Sequence, residues 1–121
     1  MPQILNQFKT LMEKSIIVEE LYLMTKGYWI ATQNNIPEPN KYSAYAKAAK
    51  VTLNEFNGKI VIAGSTEIGV EAGLIGLRTV IVEFDTYETA LAAYTSASYQ
   101  KAIMELDGTL KRDFRIIRGA D

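Results

Sequence analysis

Five side chains in this sequence are of types that, brought together, could bind and transform a small planar molecule: Glu83 and Arg115, with Trp29, Tyr94 and Tyr99. A carboxylate can take or give a proton, and a guanidinium can hold developing negative charge. Indole and phenol rings supply apolar walls, and the phenol adds a hydrogen bond, a combination suited to an aromatic or anionic ligand such as a phenol or an aromatic acid. Glu83 and Arg115 are therefore the expected catalytic pair, and Trp29, Tyr94 and Tyr99 the expected ligand contacts. The same residue types also make a structural ion pair at a subunit interface and a tyrosine-rich core, because ion pairs perturb titration without any chemistry.

What the chain lacks narrows the chemistry further. With no histidine among its 121 residues, it cannot build a Ser-His-Asp triad, a histidine zinc site or a histidine-ligated haem. The absence of cysteine removes thiol nucleophiles, thiolate metal sites and disulfides, and suits a cytoplasmic address. Neither a metal nor a cofactor is expected. A net charge of −1, with both signs scattered, gives no field for nucleic acid or an anionic membrane, so neither is an expected partner. Gly64, Gly69, Gly73 and Gly76 match no phosphate-binding pattern and read as turns and bulges, while Lys111, Arg112, Arg115 and Arg118 read as a solvated basic edge. The apolar window Ile16 to Met24 carries Glu19 and Glu20 and falls short of the roughly 20 residues of a membrane span; no secretory leader is expected.

The elements that must position these groups follow from periodicity. Ile4, Leu5, Phe8, Leu11, Met12 and Ile16 recur at helical spacing, so residues 1–25 form a helical extension preceding a domain over 26–121. A strand over GYWIATQNNI stops at Pro37, and a helix follows with the stripe Tyr42, Tyr45, Ala46, Ala49, Leu53 and Phe56, ended by Gly58 in the left-handed conformation. Lys59 to Thr66 and Leu77 to Phe84 form a hairpin. Asp85 is the expected cap of a helix carrying Tyr87, Ala90, Leu91 and Tyr94; its stripe slips phase, so Ser96 or Ser98 marks a kink or caps a second helix carrying Tyr99, Ala102, Ile103 and Leu106. Asp107-Gly108 turns the chain into a last strand, Phe114 to Arg118.

The order after the extension is β-α-β-β-α-β, the ferredoxin-like α+β arrangement with helices on one face of a four-stranded antiparallel sheet. Alternation sorts the strand residues into an apolar set, Tyr28, Ile30, Ile60, Ile62, Val80, Val82, Phe84, Phe114 and Ile116, and a mixed set, Trp29, Gln33, Val61, Ala63, Thr79, Ile81, Glu83, Arg115 and Ile117. Both are too apolar for a solvated face, so a second copy of the chain is expected on the face that the helices leave open, giving a homodimer.

Lys26-Gly-Tyr-Trp-Ile-Ala, the Tyr42 and Tyr45 helix, Arg78-Thr-Val-Ile-Val-Glu-Phe and Tyr94-Thr-Ser-Ala-Ser-Tyr99-Gln, in this order and spacing, resemble the small bacterial family known as domain of unknown function 1330. The resemblance covers Lys26 to Gly119. It implies a dimeric α/β barrel in which two sheets pack face to face. Relatives of that class include cofactor-independent oxygenases and isomerases of aromatic or quinone-like compounds, which makes such an activity one expectation and a non-catalytic ligand-binding or homodimer assembly module the other. Two departures stand out: Ala63 where the family carries an arginine, and Ser96-Ala97-Ser98-Tyr99 where it reads Ser-Pro-Glu-Tyr.

Overall fold

The computed structural model describes residues 25–71, 73 and 75–120. The helical extension expected over residues 1–25 lies, but for Thr25, outside the described residues. The chain runs β1 (Gly27–Gln33), α1 (Pro39–Glu55), β2 (Lys59–Ser65), β3 (Arg78–Phe84), α2 (Tyr87–Thr95), α3 (Ala97–Glu105) and β4 (Arg112–Arg118). The four strands form one sheet in the order β2-β3-β1-β4, with every neighbouring pair antiparallel. This is the expected ferredoxin-like arrangement. No helix among the described residues is long and apolar enough to cross a membrane.

Local chemistry sets the helix ends. The Glu38 carboxylate accepts from the backbone N–H groups of Asn40 and Lys41 at 3.1 and 2.8 Å, and Pro39 opens α1 where its missing N–H costs nothing. At the far end the left-handed residue is Asn57, at φ 54°, rather than Gly58. Gly58 is required for room instead: a Cβ there would meet the Phe84 ring at 2.8 Å and Leu53 Cδ2 at 2.9 Å. Thr86, not Asp85, caps α2, its Oγ1 accepting from the Thr89 N–H at 3.0 Å. Ser96 both ends α2 and caps α3, accepting from the Tyr99 N–H at 3.2 Å, as the slipped stripe implies. β4 starts at Arg112, two positions before the expected Phe114.

The sorting of strand residues into faces needs correction. Trp29 pairs with Val82 on one side and Ile116 on the other, so it shares the helix-covered face with Ala31, Val80, Phe84 and Phe114. Tyr28 pairs with Glu83 and Ile117, and Ile30 with Ile81 and Arg115, which puts Tyr28 and Ile30 on the open face. Alternation fixes which residues of one strand share a face, whereas the relation between strands is set by register, and a slip of one residue exchanges the two sets. In β2 a bulge between Ile60 and Ile62 breaks the alternation itself.

The core lies between the sheet and the helices. Trp29 is 3% exposed, donates its indole N–H to the Ala90 carbonyl at 2.8 Å, and packs tilted against Phe84, Tyr99 and Phe114 with ring centroids 4.8, 4.5 and 5.4 Å away. Ala90, Ala93 and Ala102 are fully buried, small enough to bring α2 and α3 close onto these rings.

Candidate functional site

A cavity of about 470 Å³ opens between α1 and the sheet. Its floor is Trp29, Ala31, Ile60, Ala63, Val80 and Val82, and its wall is the α1 stripe Tyr42, Tyr45, Ala46, Ala49 and Leu53. The space exists because Ala31, Ala46, Ala49, Gly58 and Ala63 all face it with side chains too small to fill it. β2 lies at the sheet edge with all seven of its residues exposed, so among the described residues none closes over this end of the covered face.

One polar group of the cavity is built with care. The hydroxyls of Tyr45 and Tyr99 lie 2.5 Å apart, and the Arg112 guanidinium donates to both, at 3.1 Å to Tyr45 and 3.2 Å to Tyr99. Arg112 also lies over the Phe114 ring at 4.8 Å and the Tyr45 ring at 5.2 Å, which fixes the plane of its fork. Burial pushes the Tyr99 phenol far above its ordinary range, more than the neighbouring Arg112 pulls it down. Tyr99 is therefore a neutral hydrogen-bonding group at physiological pH, not a base.

The five residues expected to form one site are divided by the sheet. Trp29 lines the cavity floor, and Tyr99 stands behind Tyr45, fully buried. Tyr94 packs on Trp29, Tyr99 and Phe114 at 6.4, 5.6 and 5.0 Å without lining the cavity. Glu83 and Arg115 are on the opposite, open face. Glu83 accepts from the Tyr28 hydroxyl at 2.9 Å and from Lys26 Nζ at 3.2 Å, and these bonds, Tyr28's first, hold its carboxyl below the usual range. Among the described residues Glu83 and Arg115 form no ion pair with each other.

The polar centre of the cavity, Arg112 with Tyr45, was not singled out by residue type. Arg112 reads as one of a basic cluster, and Tyr45 as one of a helical stripe. The signal that finds Arg112 is alternation along β4: Arg112, Phe114, Ile116 and Arg118 share the face that meets Trp29. Among the described residues no group of three or more carboxylates is placed to hold a metal ion.

Fold and cavity together define a ferredoxin-like α+β protein with a pocket between its first helix and its sheet. The chain belongs to the family described as Domain of unknown function (DUF1330), which matches residues 26–120. No curated protein matches it. Among solved structures it is similar to a protein of unknown function from Rhodopseudomonas palustris, at 12% identity and TM-score 0.61 over 81% of this chain and 85% of that one. It is also similar to SnoaB, a cofactor-independent oxygenase from Streptomyces nogalater, at 7% identity and TM-score 0.56 over 80% and 95%. A third is a dimeric protein of unknown function and ferredoxin-like fold from Bacteroides fragilis, at 14% identity and TM-score 0.51 over 81% and 100%. At these identities the likeness is one of fold.

Proposed function

We propose that this chain binds a small aromatic or quinone-like compound in the cavity between α1 and the sheet and acts on it without a cofactor, as an oxygenase or isomerase. The observation that carries the reading is the Arg112 guanidinium, held by two phenols and two rings at the edge of a pocket whose sheet floor is mostly apolar. A fixed cation in a water-poor site lowers the pKa of a bound phenol or enol, because it stabilises the anion that forms there. Trp29 packs against the ring of the ligand, Tyr45 and Arg112 hold its oxygen, and Tyr99 and Tyr94 position these groups from behind. Glu83 and Arg115 then take no part in the chemistry. The fold shared with a cofactor-independent oxygenase makes this chemistry worth testing first.

The working unit under this reading is a homodimer joined through the open sheet faces. Support comes from Tyr28, Ile30, Ile81 and Ile117 on that face and from the dimeric neighbour of the same fold. A second reading, a non-catalytic ligand-binding or assembly module, is favoured by one observation: among the described residues no carboxylate lines the cavity to serve as a general base. Oxygen uptake with a panel of quinols and naphthols separates the two. The first reading expects consumption that is abolished in Arg112→Met. Retention of a panel member without consumption of oxygen or rearrangement of the compound selects the second.

A further inference from the structure

We infer that the ligand of this cavity is an amphiphilic organic anion, its charged head at the Arg78, Gln33 and Arg112 end and its apolar body along Val80, Val82 and Trp29; this rests on the ligand-binding reading above. The first ground is the register. Gln33 pairs with Arg112 across β1 and β4, and Arg78 stands one step beyond the Thr79–Thr32 pair on β3, so three polar side chains cross the same end of the covered face. All three line the cavity. The next row across the sheet is Ala63, Val80, Ala31 and Phe114, and the one after it is Ile60, Val82, Trp29 and Ile116. The sheet side of the pocket is thus polar at one end and apolar along its length, with the exposed Lys50 and Asn54 of α1 the polar residues on the helix side, and this suits a molecule with one polar head and an apolar body laid on the sheet.

The second ground is charge. Lys50, Arg78 and Arg112 line the cavity, and among the described residues no carboxylate does. Among the described residues none of the three cations is in an ion pair. For exposed Lys50 and Arg78, water supplies the compensation. Arg112 is half-buried among rings, where a charge without a counter-ion is costly and two neutral phenols replace only part of its hydration. An anion from outside completes the site, and a guanidinium with its remaining N–H groups directed to one carboxylate is the strong form of that contact.

The third ground is an accounting of hydroxyl protons. Tyr45 and Tyr99 each accept a hydrogen bond from Arg112 and share a third bond between them, to which only one of the two protons can be given. Tyr99 is fully buried and does not line the cavity, so its proton is satisfied by the Tyr45 oxygen. That leaves the Tyr45 O–H to donate elsewhere, and Tyr45 is the member of the pair that faces the cavity. Two kinds of donor, a phenol O–H and guanidinium N–H groups, then meet at one place where, among the described residues, no carboxylate lines the cavity to accept from them. The volume suits a body of one or two fused rings.

The experiment is calorimetric titration with 1-naphthoate and its neutral isostere 1-naphthamide near pH 7. The expected result is at least tenfold tighter binding of the carboxylate, a preference abolished in Arg112→Met, weakened severalfold in Tyr45→Phe and partly kept in Arg112→Lys. Arg112→Lys retains the charge, so it serves as the test should the methionine variant fail to fold. Equal affinity for acid and amide overturns the anion inference and leaves the ligand-binding reading standing. A preference unchanged in both Arg112 variants overturns the placement of the head. If neither probe binds, nor benzoate and 2-anthracenecarboxylate with their amides, the inference and the reading beneath it both fall.

Discussion

The two faces of the sheet are made from the same four strands, yet they handle charge in opposite ways. On the covered face, charge is kept to strand ends: Arg78 on β3, and on β4 Arg112, which lies over Phe114 at 4.8 Å, and Arg118, which lies over Tyr87 at 4.2 Å. Everything between them is ring, aliphatic or alanine. On the open face Glu83 stands between Tyr28 and Lys59 in the sheet and accepts from Tyr28 and Lys26. The covering layer accounts for the difference. Helices remove water from the middle of one face, so a polar group there needs protein partners, such as the rings and phenols around Arg112, while the other face can leave part of the task to solvent or to a second subunit. The first face suits the proposed chemistry, which needs a dry, fixed cation, and the second suits the proposed association.

Four substitutions break or sharpen this contrast. Trp29→Ala has the largest effect, since it empties the centre of the covered face; a loss of about 3–5 kcal/mol in urea denaturation is expected. Gly27→Ala comes next. Its Cβ would meet Tyr87 Cα at 2.6 Å and the Thr86 carbonyl at 2.8 Å, backbone atoms that cannot step aside, and overpacking of this kind costs about 1–3 kcal/mol. On the open face, Ile81→Glu should change the stability of a subunit by only about 0.5 kcal/mol. Its effect should instead appear in light scattering as a shift from dimer to monomer; an unchanged mass would remove this face from the interface.

The smallest effect is Glu83→Gln, and its signature is a pH dependence. The Glu83 carboxyl is lowered by its bonds to Tyr28 and Lys26, so the stability it contributes is present above the unfolded glutamate value of about 4.3 and is lost as pH falls through the lower folded value. The gap in Tm between wild type and Glu83→Gln should be open near neutrality and close below about pH 4.3. A gap that stays constant across that window would show that the loss comes from packing and not from ionisation.

Much of this architecture was legible in the residues. The α1 stripe, the β2–β3 hairpin, the slip between Tyr94 and Tyr99 that places Ser96, and the β-α-β-β-α-β order all follow from periodicities local to one segment. The site was less legible because it depends on relations between segments. Tyr45 and Arg112 are 67 positions apart, and no local pattern says that a helical tyrosine and a strand arginine share a hydrogen bond. Trp29 was grouped with Glu83 because alternation within each strand does not say which set of one strand joins which set of the next, whereas the observed register opposes Glu83 to Tyr28 and to Lys59. Capping followed the same rule on a smaller scale: Asp85 and Thr86 are both good caps, and only the backbone geometry chooses Thr86.

The bulge in β2 has a consequence for how this chain behaves at high concentration. β2 is an outer strand reading KIVIAGS, with Ile60, Val61 and Ile62 all more than two-fifths exposed, a composition that favours runaway strand addition between copies. The register shift between Ile60 and Ile62 interrupts the ladder within that run, so an incoming flat strand cannot match donors to acceptors along its length. With the charge of Lys59 at its start, the irregularity acts as a guard against fibre growth, and restoring regular pairing there would be expected to make the protein prone to aggregate.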